Sequence, residues 1–142
     1  MARTPDTIST LRRVLNECRT LAVVGLSPQW PSFFAAKYMQ THGFRIVPVN
    51  PLVAREGGRI LGERAWASVR EADAAIRAEG GRIDMVDCFR KSEDIPPLAD
   101  DAVAIGAKCL WLQLGVVNEN AARAAEDAGL LVIQNRCVKI EH

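Results

Sequence analysis

The sequence predicts an α/β fold: a doubly wound, mostly parallel five-stranded sheet with helices on both faces. Three observations carry that expectation. Five apolar runs recur along the chain, "LAVVG" (21–25), "FRIVPV" (44–49), "IDMVDCF" (83–89), "CLWLQLG" (109–115) and "LLVIQN" (130–135). The runs near 21, 46 and 130 are almost unbroken in Val, Ile and Leu, the pattern of strands buried on both faces. Segments of helical periodicity lie between them, and strand–helix alternation favours parallel pairing through right-handed crossovers. Numbering the five runs in order, the expected arrangement in the sheet is 3-2-1-4-5.

Each element has its own signals. "TPDTISTLRRVLNECRT" reads as a helix preceding the first strand, so residues 1–19 form an N-terminal helix and 20–142 the core of a single domain. After the first strand, Ser32 is a candidate N-cap for "FFAAKYMQTH", with Gly43 its stop. Phe34, Ala35, Tyr38, Met39 and His42 fall on one face of that helix. Residues 51–81 are the least regular. Their first third is charged and glycine-rich and reads as a surface loop, with Gly57 and Gly58 as turn residues, the commoner role, or as close-approach points for a ligand. "SVREADAAIRAE" then forms the helix that crosses to the third strand. "PPLADDAVAIGA" begins with prolines suited to a first helical turn. "NENAARAAEDAG" has Asn118 as its cap and Gly129 as its stop.

The bulk properties narrow the function classes. A chain of 142 residues suits one hydrophobic core, and 49% hydrophobic with 25% charged residues marks an ordinary globule. A net charge of +1 gives no broad field for nucleic acid or an anionic membrane, so any anion site is local. No run approaches the ~20 apolar residues of a membrane span, and the start lacks the apolar stretch of a signal peptide. The four cysteines are widely spaced, without metal-ligand patterning, as expected of reduced thiols in a cytoplasmic protein. Cys137 and His142 suggest a thiol–imidazole pair, but no third group accompanies them, and no catalytic constellation is read here.

In an open parallel sheet, ligands bind outside the carboxyl ends of the strands. That edge is formed by residues 25–30, 50–55, 89–92 and 115–118. The stretch "GLSPQWPS" joins the first strand to the start of a helix, whose free N–H groups suit a phosphate. It lacks the second and third glycines of a dinucleotide fingerprint. Asn50 and Pro51 stand where a nicotinamide-cofactor site carries an acid, and no Gly-Lys-Ser/Thr supports a P-loop.

"AVVGLS", "PVNP", "VDCFRKSE", "LWLQLGVVNE" and "RCVKIEH", in this order and spacing, resemble the small bacterial CoA-binding proteins. Those are similar to the Rossmann-like CoA-binding domain of the succinyl-CoA synthetase α subunit. The resemblance spans residues 9–142 and implies coenzyme A, or an acyl-CoA, as the ligand. It implies that Gly25, Leu26, Ser27 and Pro28, through Trp30, wrap the phosphates ahead of the helix at Ser32. Trp30 either stacks on the ligand, where relatives have a more basic segment, or packs against the protein. Asn50 and Pro51 would wall the 3′-phosphoadenosine, with Arg55 a phosphate partner. Phe89 and Arg90 would flank the adenine or pyrophosphate, and Gly115 would leave room for the pantetheine arm.

The synthetases react through a phosphohistidine on a further domain, which has no counterpart in this sequence. The expectation is therefore a protein that binds CoA without chemistry of its own. The alternative is a nucleotide-binding subunit of an acyl-CoA ligase or NAD(P)-linked enzyme, completed by a partner chain. A regulatory domain that senses CoA is a third reading. Homodimerisation is the base-rate expectation, with the identity of any other partner open.

Overall fold

The computed structural model describes residues 8–29 and 31–138. In chain order these form α1 (Ile8–Glu17), β1 (Thr20–Val24), α2 (Ser32–Thr41), β2 (Arg45–Val49), α3 (Pro51–Arg55), β3 (Arg59–Ile60), β4 (Glu63–Arg64) and α4 (Val69–Ala78). There follow β5 (Met85–Cys88), a 3-10 turn (Ser92–Asp94), α5 (Ile95–Ala104), β6 (Cys109–Leu112), α6 (Glu119–Asp127) and β7 (Leu131–Ile133). The five apolar runs each supply one strand of a parallel sheet, and β3 and β4 form a separate hairpin.

The strand order corrects the expected one. It is β2-β1-β5-β6-β7, which in the five-run numbering is 2-1-3-4-5, not 3-2-1-4-5. The expected order needs the outer edge of β2 free for the third strand. Trp66 takes that edge instead: its N–H donates to the Pro48 carbonyl at 2.9 Å, and its carbonyl accepts from Asn50 N–H at 2.9 Å. The chain then runs through α4 past β1 to β5, which pairs with β1 from Leu21↔Met85 to Val24↔Cys88.

Alternating side chains of the strands feed two cores. Ala22, Val24, Val47, Val86, Leu110 and Val132 meet α4, α5 and α6 on one face. Leu21, Val23, Ile46, Met85, Trp111 and Ile133 meet α1 and α2 on the other. The helices carry small residues where they touch the sheet or one another: Ala72 on α4, Ala99 and Ala102 on α5, and Ala121, Ala122 and Ala125 on α6.

Three local expectations are revised. Ser32 is the first residue of α2, and the cap position belongs to Pro31, which makes no side-chain cap hydrogen bond. The buried face of α2 is Ser32, Ala35, Ala36 and Met39, while Phe34 and His42 are exposed. Ala35 and Ala36 on this face let the helix axis approach the strands, with Met39 buried beside them. Finally, the first third of residues 51–81, expected as a surface loop, contains α3 and β3, and β4 just beyond it completes a hairpin. The two-residue turn places Leu61 at φ 56° and Gly62 at φ 79°, both left-handed, as a tight hairpin requires. Gln40 Nε2 secures it by donating to the Leu61 carbonyl at 3.0 Å. Asn118 caps α6 as expected, its side chain accepting from Ala121 N–H.

Candidate functional site: the crevice between β1 and β5

β1 and β5 are neighbours, but the chain leaves them in opposite directions. α2 covers the face that carries Val23, whereas α5 covers the face that carries Val24. The loops after the two strands therefore diverge and open a crevice at the carboxyl edge of the sheet. Its base is a close backbone approach. Phe89 N–H donates to the Val24 carbonyl at 2.8 Å, and Gly25 N–H donates to the Val49 carbonyl at 3.0 Å. Gly25 has φ 83°, and a Cβ there would stand 2.4 Å from the Phe89 carbonyl oxygen. Only glycine closes the strand end in this way.

The crevice has two compartments that share Gly25, Phe89, Arg90 and Asp94. One, of about 590 Å³, lies towards α2 and is lined further by Ser27, Pro31, Ser32, Lys91, Gln113, Leu114 and Val116. The other, of about 630 Å³, lies towards β2 and adds Asn50, Pro51, Leu52, Ser68, Leu98, Glu93 and Asp101, among others. Their charges differ. The α2 side sets Arg90 and Lys91 against Asp94, while the β2 side sets Arg90 against Glu93 and Asp94, with Asp101 there already paired to Arg70 at 2.7 Å. An anionic group is favoured on the α2 side, and a neutral group with hydrogen-bond donors on the β2 side. Arg90 pairs with Asp94 at 3.1 Å, but half of its side chain is exposed. A surface pair of this kind is weak enough for the guanidinium to turn towards a ligand.

The loop after β1 is shaped from within. Ser32 Oγ accepts from Ser27 N–H at 3.1 Å, and Ser27 Oγ accepts from Gln29 N–H at 3.3 Å. Asn50 ties this loop to the next: its Nδ2 donates to the Leu26 carbonyl at 3.0 Å, while its Oδ1 accepts from Leu52 N–H and Val53 N–H to cap α3. Pro51 follows as the first residue of that helix.

The structure thus brings Gly25, Ser27, Ser32, Asn50, Pro51, Phe89 and Arg90 to one crevice. Leu26 instead buries its side chain in the core beneath α2, and its carbonyl serves Asn50. Pro28 is exposed on the loop outside both linings, and Arg55 is exposed at the last turn of α3, also outside them. Gly115 has φ 84° and open space where a Cβ would stand, between the lining residues Leu114 and Val116, and it donates to Asn135 Oδ1 at 2.7 Å. Trp30 and His142 lie outside the described residues.

Two polar side chains beside the crevice were not singled out in the sequence. Asp87 and Gln113 are buried, at 2% and 4% exposure, on the face of the sheet that carries Val23 and Trp111. Gln113 Nε2 donates to Asp87 Oδ1, and Gln113 Oε1 accepts from Val138 N–H at 3.3 Å. Burial raises the Asp87 pKa from 3.8 to about 7, against a smaller lowering by the Gln113 hydrogen bond. Their signal was a polar residue inside an apolar run, in "IDMVDCF" and "CLWLQLG". Elsewhere burial pushes the Cys18 thiol up to about 12, with the neighbouring Asp84 charge adding to it, and holds Cys88 well above its ordinary value. Among the described residues no three His, Cys, Asp or Glu side chains gather to hold a metal, and no helix is long and apolar enough to cross a membrane.

A doubly wound parallel sheet with a crevice at its switch point and a helix start beside two cations defines a Rossmann-like domain of the nucleotide-binding type. Residues 19–142 match the family model described as "CoA binding domain", and the chain belongs to that family. It is 36% identical over 134 residues to the "Uncharacterized protein YneT" of Bacillus subtilis (strain 168), covering 93% of this chain and 91% of that protein. Among solved structures, "hypothetical protein from Pyrococcus horikoshii OT3" superposes with a TM-score of 0.84 at 30% identity, over 100% of this chain and 96% of the other. "Prb (PH1109 protein redesigned for binding)" superposes with a TM-score of 0.86 at 29% identity, over 100% and 93%.

Proposed function

We propose that this protein binds coenzyme A, free or acylated, in the β1/β5 crevice and carries it without transforming it, as a cytoplasmic protein. Family membership supports the ligand class. The observation that carries the reading is the division of charge between the two compartments. The pyrophosphate lies on the α2 side, over Gly25 and the Ser27–Ser32 turn, within reach of Arg90 and Lys91. The adenosine lies on the β2 side, where Pro51, Leu52 and Leu98 offer apolar walls and Glu93 and Asp94 can accept from ribose hydroxyls or the exocyclic amine. The 3′-phosphate leaves this acidic compartment for solvent, with Arg55 on α3 its candidate partner. The pantetheine arm passes Gly115 along Leu114 and Val117, which are 68% and 42% exposed and apolar.

Calorimetric titration of the full chain with CoA, dephospho-CoA, acetyl-CoA and NAD tests this. CoA and acetyl-CoA are expected to bind saturably, dephospho-CoA more weakly and NAD not at all. Arg90→Ala should weaken CoA by roughly ten- to a hundredfold, the range for a charge-assisted phosphate contact. A folded chain that binds none of them, or binds NAD as tightly as CoA, refutes the reading. Turnover of acetyl-CoA by the purified chain refutes the carrier role.

A further inference from the structure

The α2-side compartment has a buried carboxyl beside its lining. Gln113 lines the compartment, and its amide nitrogen donates to Asp87 Oδ1. Asp87 is flanked in the sheet by Val23 and Trp111, and Gly25, Phe89 and Gln113, each within two residues of this row along its strand, all line the compartment. The compartment with the better claim to an anion therefore has, next to its wall, a carboxyl that would repel that anion when ionised.

We propose that occupancy of this compartment by an anionic group is coupled to the protonation of Asp87, so that CoA binds with uptake of a proton by that carboxyl. This rests on the CoA reading above. In an environment that excludes water, two negative charges are not held close together when one can be neutralised by a proton. Protonated Asp87 removes the repulsion, and the proton comes from the buffer.

Burial already brings the Asp87 pKa to about 7, so the change falls in the range where CoA would be bound. Among the described residues, burial and the Gln113 hydrogen bond are the causes acting on it, and no charged neighbour contributes. The ionisable groups of the adjoining elements are Cys88 beside it on β5, Cys109 on β6, Lys37, Tyr38 and His42 on α2, Arg136 and Cys137 ahead of Val138, and, on α1 over the same face, the exposed Arg12, Arg13 and Glu17, with buried Cys18 after them. Lys37 and His42 are exposed. Arg90, Lys91 and Asp94 stand across the compartment.

The test is calorimetric titration of CoA into the full chain and into Asp87→Asn, at pH 6, 7 and 8, in buffers of different ionisation enthalpy. Asn keeps the shape and stands for the neutral acid, and subtracting it removes the titration of CoA itself. From pH 6 to pH 8 the native chain is expected to lose about five- to tenfold in CoA affinity relative to the variant. At pH 8 it should take up about 0.4–0.9 of a proton more per CoA bound. The same pH profile and proton count in both chains overturns the inference and leaves the CoA reading standing. No CoA binding by the folded chain at any pH overturns both. Carbon-detected titration of the Asp87 carboxyl in the native chain, with and without saturating CoA, gives the answer even if the variant does not fold. The midpoint should rise with CoA, and an unmoved midpoint refutes the coupling.

Discussion

Asp87→Asn in the unliganded chain tests whether the buried carboxyl is a burden on the fold above neutrality. Folding raises the Asp87 pKa from 3.8 to about 7, burial being the larger cause and the Gln113 hydrogen bond opposing it. Between those values the folded state keeps a proton that the unfolded state has released. The stabilisation from this group is therefore complete below the unfolded pKa and is lost as pH rises through the folded one. At 1.36 kcal/mol per unit, the whole gap is on the order of 4 kcal/mol. From pH 5 to pH 8.5, a range safe for most domains, about 3 kcal/mol of it should be lost. Urea unfolding of the native chain and the variant, subtracted at each pH, cancels the other titrating groups. The variant should gain on the native chain by about 1.4 kcal/mol per pH unit up to pH 6.5, then level off above pH 8. A difference that does not change with pH would mean that Asp87 ionises in the fold as it does in water.

Gly25→Ala should cost about 2–4 kcal/mol, from the left-handed φ and the encounter of Cβ with the Phe89 carbonyl, and CoA binding should fall with it. A variant of native stability by urea unfolding would refute the close approach. Asn50→Ala removes the α3 cap and the tie to Leu26, for about 1–3 kcal/mol, whereas Asn50→Asp keeps the cap acceptor and should lose less. The reverse order in thermal melts would contradict the roles given to the two side-chain atoms. Cys18, Cys88 and Cys109 are buried and Cys137 is partly exposed, so a thiol reagent should label Cys137 first in the native chain and all four cysteines in urea. Rapid native labelling at Cys18 or Cys88, located by mass spectrometry, would go against their burial.

The sheet was legible because a parallel strand buried on both faces leaves an apolar run that few other structures produce, and all five such runs became strands. What went unread were features that depend on distant parts of the chain. The phase of α2 was set by which residues could lie closest to the sheet, so Phe34 turned outward although its neighbours made it look like core. The β3–β4 hairpin turns on Leu61 and Gly62, a pair without the Asn-Gly signal by which such turns are recognised. Asp87 was in plain view inside "IDMVDCF". The run holds two acids, Asp84 and Asp87; an acid inside an apolar run marks either a satisfied polar group or a site, and for Asp87 only its position next to Gln113 and the crevice separates the two.

The strand order has the largest consequence for the site. In the expected order 3-2-1-4-5, the reversal falls between the first and fourth runs. Gly25 would then face Gly115 across the crevice, with Phe89 and Arg90 two strands away beyond β2. In the observed order the reversal falls between β1 and β5, so Arg90 follows the strand that pairs with β1 and stands in both compartments with Gly25. The cation and the phosphate-approach glycine become neighbours through topology, not through any spacing in the sequence. Trp66 bonds through its backbone to the carboxyl end of β2, on the edge that a third strand would need in the expected order. The segment around Trp66 thus bears on where the ligand can sit, and its neighbours Ala67 and Ser68 line the β2-side compartment.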